Sequence, residues 1–306
     1  MQNTKIEWAR HTFNPWRGCT RVSPGCAHCY AEILSHRNPK TLGVWGPQGT
    51  RVVAAESAWR EPLKWDREAA ALGERHRVFC ASLADVFEGP ETLPRDSVPI
   101  VADARERLFH LVRQTPNLNW LLLTKRPQNV RPILEKSKRG LTQPYEPDEL
   151  ADWCYDWFNG RAPSNVWIGT SVENQATADE RIPHLLQVPA AVRFLSCEPL
   201  LEDLGKIDTS GIQWVIVGGE SGPHARPCEL AWVRALIEQC HEADTPCFVK
   251  QLGSNLRGLT RHGLDHDHLA AALGSTYRLR DPKGGDPDEW PDDIRVREFP
   301  RVEAIA

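Results

Sequence analysis

Six short apolar runs, each closing on polar residues and followed by helical sequence, limit what this chain can become. They lie at 77–82, 120–126, 166–171, 192–198, 214–220 and 247–251. Near-continuous apolar strands alternating with helices are the pattern of a parallel sheet, because each parallel connection must cross over and the covering helices bury both faces. Helices are expected at 30–37, 97–114, 175–187 and 229–242, with another over 58–72 capped by Ser57. With the segment before Cys19 as strand one, the count reaches seven. The expected fold class is α/β: a partial or complete parallel β/α (TIM-like) barrel with loop insertions and a polar C-terminal extension. A doubly wound sheet is disfavoured because no G-x-G-x-x-G follows an early strand.

A chain of 306 residues, 41% hydrophobic and 25% charged, is long enough for one large core. The barrel domain is expected over 1–253, interrupted by Gly/Pro-rich or irregular insertions at about 38–56 and 139–163. Residues 254–306 form the extension, too rich in Pro and Asp for core, with Trp290 and Phe299 expected to pin it down. A net charge of −4 gives no global basic field for nucleic acid, although a local groove stays open. The nine cysteines are odd in number and too sparse for a disulfide scaffold. With no apolar leader and no run near the roughly eighteen apolar residues of a membrane span, a cytoplasmic location is expected.

Three of those cysteines sit together. Cys19, Cys26 and Cys29 are spaced C-x6-C-x2-C, and Pro24-Gly25 supplies a tight turn that lets successive sulfurs face one centre. A structural zinc site takes four protein ligands, whereas three leave one coordination position open. A [4Fe–4S] cluster held by three thiolates likewise keeps one iron free. His28 reads as a wall of the site more than as a fourth ligand. A zinc knuckle completed by His28 or a distant residue is the competing reading, and would make this a zinc-stabilised nucleic-acid-binding protein without turnover, its Trp-rich insertions stacking bases.

In parallel barrels the reactive groups stand at the C-terminal strand ends. Here that rule collects the three cysteines after strand one, Ser82 and Asp85 after strand two, and Lys125 and Arg126 after strand three. It adds Ser171, Glu173 and Asn174 after strand four, Cys197 and Glu198 after strand five, Gly218, Gly219, Glu220 and Ser221 after strand six, and Lys250 and Gln251 after strand seven. Lys125, Arg126 and Lys250 on one rim would suit a phosphate-bearing substrate, a nucleotide or nucleic acid. The glycine pair would let a ligand approach the backbone.

The stretches IEWARHTFNPWRGCTRVSPGCAHCYAE, FCASLADVFE, LLLTKRP, VWIGTSVENQ, FLSCEPLL, VIVGGESGPHARP and FVKQLG, in order over 5–253, closely resemble the phage Gp37/Gp68 family, a domain of unknown function. The three-Cys loop resembles that of radical S-adenosylmethionine enzymes. That resemblance implies Cys19, Cys26 and Cys29 as [4Fe–4S] ligands, S-adenosylmethionine as cofactor, and His28 near its adenine. It implies cofactor contacts from Ser171 and Glu173 and an electron donor such as a flavodoxin or ferredoxin, and the strand-end rule adds Ser82 and Asp85 as cofactor-binding candidates. Gly218-Gly219-Glu220 would hold the cofactor's amino group, although that tripeptide commonly follows strand two. Cys197, Glu198 and Lys125 are the catalytic candidates, Cys197 as a hydrogen-atom donor to a substrate radical.

Overall fold

The computed structural model describes residues 1–138, 149–258 and 279–301. The chain divides into two compact units, residues 1–170 with 183–191 and residues 171–182 with 192–306. The 253/254 boundary expected from the sequence therefore lies inside the second unit.

In the first unit, β1 (His11–Phe13), β2 (His76–Cys80), β3 (Leu118–Thr124) and β4 (Val166–Ser171) pair in chain order, all parallel. Every residue of β4, and all but one of β3, is buried, which is why these strands read as unbroken apolar runs. In the second unit β5 (Val192–Cys197), β6 (Trp214–Gly218) and β7 (Cys247–Gln251) continue the parallel pattern. Among the described residues seven such parallel strands alternate with helices, the α/β class that the sequence predicts.

Besides the single turn Pro39–Leu42, the α-helices among the described residues are α1 (Tyr30–Arg37), α2 (Glu56–Leu72), α3 (Ser97–Gln114), α4 (Val130–Lys138), α5 (Glu149–Phe158), α6 (Gln175–Leu186) and α7 (Leu230–Glu242). α2 turns Trp59, Pro62, Trp65 and Ala69 inward and stops at Gly73, whose φ of +65° is the left-handed conformation glycine reaches at least cost. It starts at Glu56, ahead of the expected Ser57 cap, with extended Ala55 before it. The Glu56 carboxylate meets the positive end of the helix dipole and takes both Arg107 amines, at 2.5 and 2.6 Å. α4 went unread in the sequence because prolines at 127 and 132 mask its start, yet proline is tolerated in a first turn. Of the expected 139–163 insertion, residues 139–148 lie outside the described residues, and 149–158 form α5.

Nine of the twelve tryptophans are buried. In the first unit Phe13 packs edge-on against Trp59 and Trp120, with centroids 5.2 and 5.8 Å apart. In the second, the segment 296–299 lies against β7. Val249 N–H donates to Val296 O, and Glu298 N–H to Cys247 O, both at 2.8 Å, so this segment runs along β7. Phe299 closes the corner against Trp214 and Phe248, while the buried Trp290 donates to Gly284 O. Covering β7 in this way occupies backbone groups a bare edge would expose.

Candidate metal loop and strand-end charges

After β1 the chain passes through the buried Trp16, whose short segment Trp16–Arg17 pairs antiparallel with Val52–Val53. Gly18 follows at φ +110°, and a Cβ there would stand 2.4 Å from Thr50 O. Only glycine fits so close an approach in that conformation.

The next residues are fixed by charge. Thr20 N–H donates to Glu88 Oε1 at 3.0 Å, its hydroxyl donates to Thr92 O and accepts from Arg51 Nη2, and its carbonyl accepts from Arg126 Nη2 at 2.7 Å. Arg51 grips Glu88 in a bidentate pair at 2.7 and 2.8 Å, both side chains fully buried. Arg126 pairs with Asp85 at 2.9 Å and donates to Cys19 Sγ at 3.7 Å. The Asp85 carboxylate is saturated, since it also accepts from the Thr124 hydroxyl and the amides of Phe87 and Lys125. Burial works against the Arg126 charge, but Asp85, Cys19 and Glu88 outweigh it and hold its pKa above the ordinary value.

Pro24–Cys26 is a single 3-10 turn, and Cys29 stands immediately before α1. Cys19, Cys26 and Cys29 are all half-buried, unlike the six other cysteines, which are buried. Burial pushes the Cys19 thiol up, Glu88 adds to the rise, and Arg126 opposes it. Burial also raises Cys29, against the amides of Glu32 and Ala31 at the start of α1 and the charge of Lys125, all of which favour its thiolate. With the Cys19 and Cys29 thiols both held above their ordinary values, loading a metal on them must release their protons. Nearby, Ser82 accepts from Asn14 Nδ2 at 3.1 Å through its hydroxyl and from the Tyr30 hydroxyl at 2.7 Å through its carbonyl. His28 is half-buried on the same loop.

The first unit thus sets Arg126 and Asp85 beside Cys19 and the charge of Lys125 toward Cys29, with Ser82 tied to Tyr30 next to that cysteine. It adds Glu88, Arg51 and Thr20, which the sequence reading passed over. Glu88 closes the quoted stretch FCASLADVFE, three residues after Asp85 and directly behind the apolar pair Val86-Phe87, which was the available signal. Arg51 sits in a presumed insertion and gave none.

In the second unit the expected residues are each partnered separately. Glu173 and Arg181 form a buried pair at 2.9 Å, and the same guanidinium nitrogen donates to Ser171 O. The Asn174 side chain caps α6 by accepting from Thr177 N–H. Glu198 takes Lys250 at 2.8 Å and the Ser196 hydroxyl at 3.3 Å. Glu220 holds Arg226 through both carboxylate oxygens and accepts its backbone N–H. The glycine pair admits the chain's own atoms: a Cβ on Gly218 would lie 2.6 Å from Glu198 Oε1, and one on Gly219 would lie 2.2 Å from Leu252 O. Gln251 donates to Gly219 O, and Ser221 is half-buried beside them. Cys197 is fully enclosed, its thiol pushed well up by burial and next by Cys240.

Arg126 is 2% exposed and pairs with Asp85, and Lys250 is bound to Glu198, so both of these cations proposed to meet a phosphate have carboxylate partners within the chain. Of the tryptophans in the two insertions proposed to stack bases, Trp157 is buried and Trp45 and Trp153 are half-buried. A cavity of about 360 Å³ lined by Arg10, Glu74, Arg75, His76 and Arg77 lies at the start of β2, the opposite strand end from the cysteine loop.

Whether a cluster fits rests on the donors. Three half-buried thiols on one short loop, with Arg126 on the first sulfur and helix amides and Lys125 acting on the third, match the needs of an anionic iron–sulfur group. Among the described residues, no three His, Cys, Asp or Glu side chains are already gathered as metal ligands, so the sulfurs would have to converge on binding. No helix among those residues is long and apolar enough to cross a membrane.

Residues 3–273 match the model of the DUF5131 family, described as a protein of unknown function, and the match does not carry the phage Gp37/Gp68 name. No curated protein matches significantly. Among solved structures, spore photoproduct lyase complexed with dinucleoside spore photoproduct is similar at 12% identity and a TM-score of 0.40, over 78% of this chain and 62% of that one. A cysteine-to-serine mutant of spore photoproduct lyase gives 13% identity and a TM-score of 0.42, over 89% and 73%. This chain therefore spans somewhat under two thirds of the first of those structures.

Proposed function

Because the chain belongs to the DUF5131 family, for which no activity is described, its chemistry has to come from its own residues, and we propose that it is a radical S-adenosylmethionine-type enzyme. The supporting observation is the asymmetry among nine cysteines: the three on the loop are half-buried and set against Arg126 and the start of α1, while the other six are core. Cys19, Cys26 and Cys29 would hold a [4Fe–4S] cluster. With S-adenosylmethionine on the remaining iron, that group supplies one-electron cleavage of the sulfonium and a carbon radical able to abstract hydrogen.

The chain's own contributions follow from the contacts. Arg126 donates to Cys19 Sγ and lays a positive charge against it, which compensates anionic sulfur. Glu88 and Arg51 fix Thr20 through its amide and hydroxyl, so Cys19 is presented from a backbone that cannot swing. The first amides of α1 do the same for Cys29. Cys197 takes no part in this reading, being enclosed beside Cys240.

The test is anaerobic reconstitution with iron and sulfide, followed by dithionite and S-adenosylmethionine. The expected result is a brown protein with about four irons per chain, absorbing broadly near about 400 nm, that releases 5′-deoxyadenosine. A colourless protein holding one zinc and no iron would overturn the proposal and favour the zinc-stabilised reading.

A further inference from the structure

The helix that leaves the cysteine loop is turned the wrong way round for its composition. At about 100° per residue, Tyr30, Ile33, Leu34 and Arg37 of α1 share one face. A helix on a folded core ordinarily buries such an apolar stripe. Here Tyr30 is 55% exposed, Ile33 46% and Leu34 40%, whereas the buried face carries only Ala31 and Ser35. The small inward residues let the helix lie close to its own unit, with the Ser35 hydroxyl returned to Glu32 O and the Tyr30 hydroxyl tied to Ser82 O. The bulk is therefore spent outward.

This exposure is concentrated. Of ten large apolar residues exposed among the described residues, six lie between 22 and 53: Val22, Tyr30, Ile33, Leu34, Val44 and Val53. Exposed apolar residues scattered singly need no explanation, but a group beside a candidate site marks an interaction surface. The charge of the same segment runs against that of the chain. Residues 17–50 hold Arg17, Arg21, Arg37 and Lys40 against the single acid Glu32, a balance of +3, in a chain of net −4. Glu32 is itself bound by Arg21 at 2.7 Å, which leaves Arg37 and Lys40 at the far end of the apolar stripe. A second copy of this chain would bring basic against basic, so self-association is disfavoured. Aliphatic Ile33, Leu34 and Val22 are suited to a protein surface rather than to bases or phosphates.

We propose that the outer face of α1, Tyr30–Ile33–Leu34 with Arg37 and Lys40, is the docking surface for a small acidic one-electron carrier protein. That the partner carries electrons rests on the cluster reading above; that it is an acidic protein rests on the face alone. The placement is functional, because Ile33 N–H donates to Cys29 O and Cys29 directly precedes the helix, so a protein seated here lies against the metal loop itself.

The test pairs Ile33→Glu/Leu34→Glu with the unaltered chain. Both side chains are exposed, and circular dichroism checks that the variant stays folded. Binding of a purified acidic flavodoxin is measured by calorimetry on the metal-free and on the reconstituted protein. The expected result is saturable binding that weakens about tenfold in the variant and also on raising salt from about 50 to about 300 mM. The variant should take up the same iron as the unaltered chain and be reduced equally by dithionite, yet be reduced about tenfold more slowly by flavodoxin. Binding and flavodoxin-driven reduction that ignore the two substitutions would overturn the surface. So would a face that instead dimerises the chain and stops doing so in the variant. Failure of the unaltered chain to take up iron would overturn the cluster reading, not the surface, because the metal-free binding measurement still reads Ile33 and Leu34.

Discussion

The strand ends of the two units use the same residue types and arrange them differently. In the first unit Arg51, Glu88, Arg126 and Asp85 form one buried chain of charges, all converging on Thr20 and Cys19. In the second, Glu173, Glu198 and Glu220 each have a separate cation, Arg181, Lys250 and Arg226. Separate pairs hold separate loops in place. A connected network with a thiol at its margin fixes one loop and compensates charge placed there. The proposed cluster ligands accordingly lie in the first unit, while in the second unit each of these carboxylates is held by a cation of its own.

The sharpest way to break that contrast is to remove a sulfur. Cys29→Ala should abolish iron uptake, from about four irons per chain to less than one after reconstitution. Cys247→Ala, on β7, should leave the iron content unchanged. Iron analysis and the absorbance near about 400 nm decide it. Equal loss in both would mean that the loop has no special standing.

Next in size is the network itself. Glu88→Ala leaves Arg51 without its buried carboxylate and takes one from Arg126, and breaking a buried pair this way costs about 3–5 kcal/mol. Glu198→Ala, whose Lys250 partner is partly exposed and can turn to water, should cost about 1 kcal/mol. Urea denaturation of the two variants gives the comparison directly. Similar losses would show that the first unit's charges are not acting as a network.

How much of this could be read beforehand follows from what each feature depends on. The strands were legible because burial on both faces leaves an apolar run in the chain, and β4 and β7 fall on 166–171 and 247–251 as expected. α3 likewise matches 97–114 through its repeating inward positions, Val101, Ala104, Leu108 and Leu111. The cysteine loop was legible from spacing. Partner choice was not: nothing local in the sequence joins Arg51 to Glu88, or turns Arg126 from a rim cation into a buried one, because those pairings are set by tertiary contacts. Gly218-Gly219 is open for a related reason. A glycine pair signals close approach without saying of what, and here the approaching atoms are Glu198 and Leu252.

That last point gives a smaller test within the second unit. Gly219→Ala sets a Cβ against backbone, Leu252 O at 2.2 Å, whereas Gly218→Ala meets the movable Glu198 side chain at 2.6 Å. Overpacking against backbone should cost about 1–3 kcal/mol, and the movable contact less. Equal costs would argue that Glu198 is held as rigidly as main chain, and the separate-pair description of this unit would need revision.

The smallest expected effect lies at the other end of the first unit's strands. His11 Nε2 and His76 Nδ1 are 3.2 Å apart, and His11 stacks on Trp65 with centroids 4.4 Å apart. Burial, then His76 and Arg10, lower the His11 pKa to about 4. Above pH of about 6.5 the imidazole is neutral whether the chain is folded or not, and it contributes no pH dependence. As pH falls below that value, the unfolded chain takes the proton first, so stability is lost between about 6.5 and about 4 and the slope ends once the folded form also protonates. At about 1.4 kcal/mol per pH unit the ceiling is about 3 kcal/mol, and screening by solvent around the neighbouring Arg10 and Glu74 reduces it to roughly 1–2 kcal/mol. Urea midpoints measured between pH 7 and pH 4 should therefore fall, and His11→Gln should flatten part of that fall while leaving iron uptake at the far strand ends untouched. A slope that survives the substitution in full would take the acid sensitivity away from His11 and leave it with His76, whose pKa burial also lowers.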